Sequence, residues 1–403
     1  MSDALPLWIS EIPGANIDSI AAGDYRIPRI STELWSSRQR MGSSLQEISY
    51  RACFKPHLPR FFISALTRQG DYVYDPFSGR GTTVIEAGLL GRRIMANDVN
   101  PLSLILTRPR FFPPSMTDIE DRLLTIDFTF SRETGIDLSM FYHPDTEAEI
   151  TSLRSYLKGR KNKGEEDDID AWIRMVATNR LTGHSCGFFS VYTLPPNQAV
   201  PPERQIAINR KRDQRPEYRD VRSLILKKSG SLLRGITREE KETLREAGEC
   251  GLFLTCHAGQ TPRIPDCSIA LTVTSPPFLD TVQYAQDNWL RCWFNDIDAS
   301  VVERGLTVTR SLERWCEVMG ATLRELHRVT NDGGHVAFEV GEVRRGSLHL
   351  DEHIIPLGGN AGFTPVCILL NQQRFTKTSH IWGISNNDGG TNTNRIAIFR
   401  KDE

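Results

Sequence analysis

Between Asp71 and Asp98 the chain reads DYVYDPFSGRGTTVIEAGLLGRRIMAND, and no other segment limits its fold so strongly. A short apolar run, Asp71 to Asp75, ends in a carboxylate. Gly79 and Gly81 then open a turn. A helix-like run begins near Thr82 and stops at Gly91, where helix C-termini favour glycine. A second apolar run, Arg92 to Asp98, again ends in an acid. Strand, turn, helix and strand within roughly thirty residues make a βαβ unit, which implies a parallel sheet. Glycine removes the Cβ that blocks approach, so such a turn can bring bare N–H groups and a helix N-terminus against a ligand. The spacing stops short of GxGxxG, and no GxxxxGK[ST] occurs, so NAD and ATP phosphate binding lose ground. Asp98 stands where dinucleotide folds hold ribose hydroxyls. A purely structural tight turn is the alternative.

The rest of the chain extends this beginning. Leu58 to Gly70 reads as a preceding helix. GLFLTC (251–256), IALTVT (269–274), HVAFEV (335–340), VCILL (366–370) and RIAIF (395–399) read as buried strands. Residues 105–250 have a different texture. Lys158 to Asp168 is a charged break, and Pro201 to Arg238 carries eleven Lys or Arg against four Asp or Glu. The expected organisation is α/β, a doubly wound sheet with a large insertion. Residues 1–45 form an irregular lead-in, 46–104 and 251–403 the catalytic domain, and 105–250 an inserted helical, basic region. With 403 residues the chain suits two domains or one domain with an insertion.

Whole-chain charge is balanced, 49 Lys+Arg against 50 Asp+Glu, which argues against a simple polybasic binder but leaves local patches open. Eight cysteines form no CxxC pair, so a zinc ribbon is disfavoured and no metal is expected. No apolar run approaches membrane-spanning length, and MSDALPLWISEIPG lacks a basic start and apolar stretch. The reading is a soluble intracellular protein.

IALTVTSPPFLDTVQYAQDNW supplies the second chemical feature. A strand runs into Ser275-Pro276-Pro277-Phe278. The prolines fix φ and remove two backbone donors, leaving carbonyls free to face a pocket. Ser275 adds a hydroxyl and Phe278 a flat apolar face. That set suits a planar heterocycle with an exocyclic NH2. A rigid strand-to-helix turn is the alternative; a position at the end of a central strand, where open α/β sheets keep ligands, favours the site.

These motifs resemble the S-adenosylmethionine-dependent amino-methyltransferases of DNA, which act on cytosine N4 or adenine N6. DPFSGRGTT, Asp75 to Thr83, resembles their cofactor motif. TSPPF, Thr274 to Phe278, resembles their catalytic motif in the form usual for cytosine-N4 enzymes. YRACFKPHLPRFFI, Tyr50 to Ile63, is similar to the segment that closes over the methionine end of the cofactor. Gly259 stands where the family often has an acid near the cofactor adenine, with His257 and Asp266 as substitutes.

The resemblance implies a Rossmann-like methyltransferase sheet, mostly parallel with an antiparallel C-terminal strand. It implies S-adenosyl-L-methionine held by Phe54, Pro56, Asp75, Pro76, Phe77, Gly79, Gly81, Thr82, Thr83, Asp98 and Thr274. Ser275, Pro276, Pro277 and Phe278 would be catalytic, with Asp280 as a candidate proton acceptor. The partner would be double-stranded DNA, with a flipped cytosine stacked on Phe278. Arg210, Lys211, Arg212 and Arg215 from the basic stretch (which also holds Arg219, Arg222, Lys227 and Lys228) and the aromatic Tyr284 would contact DNA. A solvated helical face is the other reading of that stretch. Phe188, Phe189 and Tyr192 read as packing residues, and Ser385 to Arg395 as a polar surface loop. A cytoplasmic bacterial or archaeal setting, with or without a cognate restriction endonuclease, would follow. Adenine N6 in DNA, cytosine N4 in RNA, and an inactive DNA-binding protein on the same fold remain alternatives. A C5-cytosine enzyme needs a Cys nucleophile after proline, and no Pro-Cys dipeptide occurs.

Overall fold

The computed structural model describes residues 14–33, 42–50, 53–129, 135–194, 199–279, 284–306, 309–343, 348–372 and 393–403. In chain order the strands are β1 (Asn16–Ala22), β2 (Tyr25–Thr32), β3 (Tyr72–Asp75), β4 (Arg93–Asn97), β5 (Leu252–Leu254), β6 (Ile269–Thr274), β7 (Thr330–Val340), β8 (Glu342–Val343), β9 (Leu348–His349), β10 (Thr364–Gln372) and β11 (Thr393–Arg400). Nine of them form one sheet in the order β1-β2-β10-β11-β7-β6-β3-β4-β5, and β8 pairs with β9 separately.

From β7 to β5 all neighbours run parallel, as crossover connections dictate. The C-terminal β11 wedges in antiparallel to both β7 and β10. Side chains alternate between faces. Val73, Ile94, Leu271, Val273, Ala337, Leu369 and Ile398 enter one core cluster. Tyr74, Met95, Val336, Phe338, Ile368, Ala397 and Phe399 enter the other. Both faces are therefore covered, which explains why these strands read as unbroken apolar runs. The chain leaves β3 toward β4 on one side, and β6 returns on the other. At that reversal a crevice opens beyond the strand ends.

Thirteen helices are described: α1 (His57–Leu66), α2 (Thr82–Leu89), α3 (Leu102–Thr107), α4 (Met116–Leu124), α5 (Pro144–Asn162), α6 (Asp168–Arg180), α7 (Pro202–Arg212), α8 (Val221–Leu233), α9 (Arg238–Glu249), α10 (Tyr284–Phe294), α11 (Ala299–Gly305), α12 (Leu312–Val329) and α13 (Leu350–Asn360). No helix among the described residues is long and apolar enough to cross a membrane.

Three features differ from the sequence reading. The lead-in is not irregular: residues 16–32 form a hairpin, Ala22 to Tyr25 at its tip, and β2 pairs with β10 through Ile30 and Leu369. Pro28 and exposed Ile17 break the alternation that would have marked it. The insertion rejoins the sheet before residue 250. Helix α9 packs on the β4–α2 layer, where a Cβ on Gly88 would stand 3.1 Å from Leu244 Cδ2. The charged stretch from Lys158 is mostly helical, broken only between α5 and α6 around Gly164, at φ +70°. The insertion also shares a core with the sheet: fully buried Trp172 of α6 lies in that cluster and donates to Ser229 Oγ at 3.0 Å.

Candidate active site

Strand β3 delivers Asp75 to the crevice. Its Oδ1 accepts from Thr274 Oγ1 at 2.7 Å and from the Phe77 N–H at 3.1 Å. Burial pushes this carboxyl up to about 7, against the pull of those hydrogen bonds. Asn97, at the end of β4, clasps neighbouring strand ends, donating to Cys256 O at 3.0 Å and Pro76 O at 3.2 Å.

The turn that follows depends on its glycines. Gly79 has φ +52°, and its N–H donates to Asp98 Oδ2 at 2.8 Å. Asp98 Oδ1 accepts from the Asn100 N–H at 2.9 Å. Burial raises the Asp98 carboxyl to about 6. Gly81 has φ +76°, and a Cβ there would come within 2.6 Å of Thr107 Oγ1. Helix α2 then starts with no side-chain cap. Thr83 locks it to β6, donating to Val273 O at 3.0 Å.

Residues 45–50 form a wall beside the turn. Arg80 donates to Gln46 O at 2.9 Å and Ile48 O at 2.8 Å. Buried Arg110 donates to Leu45 O at 2.9 Å and to Arg80 O. Burial, with Arg80 nearby, lowers Arg110 to about 9. The Tyr50 ring lies over Gly79, where a Cβ would stand 3.3 Å from Cε1. The sequence motif contained Gly79 and Gly81, but Arg110 and Asn97 had no local signal.

Across the crevice the Pro-Pro loop leaves β6. Thr274 is fully buried and serves Asp75. Ser275 neighbours the buried Glu339 carboxylate of β7 and favours its charged form. Trp315 of α12 donates from Nε1 to Pro277 O at 2.9 Å, so that carbonyl is engaged. Phe278 leans on Gly341, where a Cβ would stand 2.7 Å from Cε2.

One cleft joins these parts. It is open to solvent and is lined by Tyr50, Cys53, Phe54, Asp75 to Arg80, Thr82, Asp98 to Asn100, His257, Ala258, Ser275, Pro277, Gly305, Leu306 and Val318. Of the expected cofactor residues, Phe54, Asp75, Pro76, Phe77, Gly79, Thr82 and Asp98 line it. Pro56, Gly81, Thr83 and Thr274 stand behind as supports. Of the expected catalytic residues, Ser275 and Pro277 reach it. Pro276 is buried, and Phe278 does not line it, so the expected stacking ring sits on Gly341 instead. His257 lines the cleft near the missing acid, whereas Asp266 is paired with Arg328. Asp280 lies outside the described residues, as does the Tyr284 side chain and nearly all of Ser385 to Arg395. Among the described residues no group of three or more His, Cys, Asp or Glu could hold a metal ion.

The basic stretch divides. Arg219 donates to the carbonyls of Ser185, Phe188 and Ser190, Arg222 stacks on Phe128, and Lys228 pairs with Glu47. These are structural. Arg210, Lys211, Arg212 and Arg215 are exposed, and among the described residues none of them pairs with a carboxylate. Arg212 stacks on the Tyr192 ring, 3.8 Å from its centroid. Just before α7, the Ala199 N–H bonds Asp287 O of α10 at 2.8 Å, and Val200 O accepts from Trp289 Nε1 at 3.2 Å. The basic helix is thus braced on the helix that follows the Pro-Pro loop. Phe188 and Phe189 are buried packing residues.

Comparison with known proteins finds partial similarities to methyltransferases. A Type II methyltransferase, M.MvaI of Kocuria varians, is 23% identical over 162 residues, 37% of this chain. The match spans 32% of that relative's length. A Thermus thermophilus protein assigned as a DNA modification methylase is 21% identical, covering 35% of this chain and 48% of its own, with TM-score 0.22. A SAM-dependent methyltransferase of Methanosarcina mazei is 9% identical, covering 85% of this chain and 97% of its own, with TM-score 0.33. A family model described as DNA methylase matches residues 25–143, a span that runs from β2 through the glycine turn and Asp98 into the insertion. Over these residues, under a third of its length, the chain is similar to the DNA methylase family.

Proposed function

We propose that this protein transfers a methyl group from S-adenosyl-L-methionine to the exocyclic N4 amine of a cytosine turned out of double-stranded DNA at a specific sequence. The observation that carries the reading is the lining of one cleft by the glycine turn with Asp98 and by Ser275 with Pro277.

The residues present fit the cofactor. Asp98 offers a carboxylate already fixed by two backbone N–H groups, so its remaining lone pairs can take ribose hydroxyls. Tyr50 and Phe54 wall the side toward the methionine end. When bound, the cofactor supplies an electrophilic sulfonium methyl.

The chain's own task is to make a poor nucleophile competent. The N4 lone pair is delocalised into the ring. The Ser275 hydroxyl and a carbonyl of the Pro-Pro loop hold the amine hydrogens and favour a pyramidal nitrogen facing the methyl. Placement and preorganised acceptors supply most of the acceleration. Extruding the base costs a few kcal/mol, offset by phosphate contacts. Exposed Arg210, Lys211, Arg212 and Arg215 support that role. The Ser-Pro-Pro form favours cytosine N4 over adenine N6. The setting that follows is the cytoplasm of a bacterial or archaeal cell, alone or beside a restriction endonuclease.

Nucleoside mass spectrometry tests this after incubating duplex DNA and RNA with methyl-labelled cofactor. Labelled N4-methylcytosine in DNA is the expected product. Label confined to N6-methyladenine or to RNA overturns the base or the polymer, and no label in either overturns the transfer.

A further inference from the structure

Behind Ser275 lies a buried polar chain that neither sequence motif contains. Strands β6 and β7 pair in parallel, with Thr274 beside Phe338, so the first loop residue and the next strand residue, Ser275 and Glu339, are neighbours. Glu339 is 7% exposed and does not line the cleft. Its Oε1 accepts from Asn394 Nδ2 of β11 at 2.8 Å. Asn394 Oδ1 accepts in turn from Asn371 Nδ2 of β10 at 3.3 Å. The register places the Ser275 hydroxyl next to this carboxylate on the cleft side, where it favours the charged form. A carboxylate has no place in a sheet interior unless its interactions offset desolvation. Here the partners are neutral. The adjacent Arg395 guanidinium is engaged with Asp351, donating from Nε at 2.7 Å.

We propose that Glu339 is the positioning residue of the transfer, orienting the Ser275 hydroxyl and taking the amine proton through it. The proposal rests on the methyl-transfer reading above. With its hydrogen on Glu339, the Ser275 oxygen turns its lone pairs toward the amine. As the new C–N bond forms and the sulfonium C–S bond breaks, the nitrogen gains positive charge. It releases a proton to Ser275 Oγ while Ser275 passes its own to Glu339. Nitrogen ends neutral, serine is unchanged, and the protonated Glu339 returns its proton to water. Burial raises the Glu339 carboxyl, while the Ser275 and Asn394 hydrogen bonds hold it down; no charged group contributes to the shift.

Two measurements test the proposal. In cofactor-free protein the Glu339 carboxyl is followed by infrared titration, using Glu339→Gln as the subtraction reference. Ser275→Ala should move its midpoint upward, because a bond to the charged form is lost; an unmoved midpoint overturns the proposal. In turnover, Glu339→Gln should lower kcat about 100-fold with KM for cofactor and DNA unchanged. It should also abolish the acidic limb of the kcat–pH profile, and cost nothing further in a Ser275→Ala background. Additive losses in the double variant, or an intact acidic limb, overturn the proposal and leave methyl transfer standing. A wild-type chain that binds cofactor but methylates no nucleic acid overturns both. Should Glu339→Gln unfold, Asn394→Ala tests the same chain by shifting the Glu339 midpoint upward, and no shift counts against it.

Discussion

Replacing Asp98 with asparagine isolates the part of cofactor binding that depends on charge. The carboxylate accepts two backbone N–H bonds, one on each oxygen, at 2.8 Å from Gly79 and 2.9 Å from Asn100. An asparagine in its place would turn an NH2 toward one of these donors. That clash is present with or without ligand and is a cost to folding; on binding, losing the charge-assisted bonds from the ribose hydroxyls costs about 1.5–3 kcal/mol, or roughly a 10- to 150-fold rise in Kd. The pH dependence follows from the raised carboxyl, about 6. At pH 7 about nine-tenths is charged, and at pH 5 about one-tenth. If only the charged form takes ribose hydroxyls, wild-type affinity falls about tenfold between pH 7 and pH 5. The Asp98→Asn protein should lack this component. Titration calorimetry with S-adenosylmethionine at three pH values reads both. Asp75, at about 7, also titrates in the range, so the comparison is between wild type and variant at each pH. A wild-type Kd constant from pH 5 to 7, or a variant that binds as tightly as wild type at pH 7, would refute the role assigned to Asp98.

Asp75 makes a stability prediction. Its folded-state value, about 7, lies above the ordinary 3.8, so the folded chain holds this proton longer than the unfolded chain. Its contribution is full below about pH 4 and is lost as pH climbs through about 7, up to about 4 kcal/mol. Urea unfolding of Asp75→Asn against wild type should show the variant gaining relative stability from pH 5 to pH 8; a constant difference would exclude it. Gly81→Ala places a Cβ within 2.6 Å of Thr107 Oγ1 at φ +76°. It should cost about 2–4 kcal/mol, part of which Thr107→Ala returns in chemical denaturation; no recovery would mean that this clash is not the cause. Neutralising Arg210, Lys211 and Arg212 together should weaken DNA binding and flatten its salt dependence, by up to about 0.9 in log–log slope for each phosphate left without its cation. An identical slope moves the DNA surface elsewhere.

The sheet interior was legible because its strands are covered on both faces and read as plain apolar runs, as in Ile269 to Thr274. The glycine turn was legible because its conformation demands residue types that few other sequences would place there. What escaped was long-range. The β1–β2 hairpin carries Pro28 and an exposed Ile17, so its alternation is broken, and its partner β10 lies more than three hundred residues away. Arg110 looks like any surface cation in sequence, yet it is fully buried among carbonyls. The basic stretch read as one feature because its charges are contiguous; only the fold separates Arg219, bound to three carbonyls, from exposed Arg210. Phe278 fits a stacking motif, but Gly341, more than sixty residues on, determines where its ring rests.

The charge layout of the cleft favours one kind of ligand. Asp75 and Asp98 sit at its base with raised carboxyls, and neither forms an ion pair among the described residues. The nearby cations do not relieve them. Arg80 and Arg110 give their donors to carbonyls of residues 45–48 and of Arg80 itself, which fixes the wall rather than neutralising the base. Meanwhile exposed Arg210, Lys211 and Arg212 stand on α7, whose leading residues Ala199 and Val200 bond to α10. Where these carboxyls are charged, an anion is disfavoured beside them and a small cation is favoured. Under the methyl transfer proposed above, that preference suits a sulfonium donor beside Asp75 and Asp98, and leaves the phosphate backbone to the exposed cations of α7.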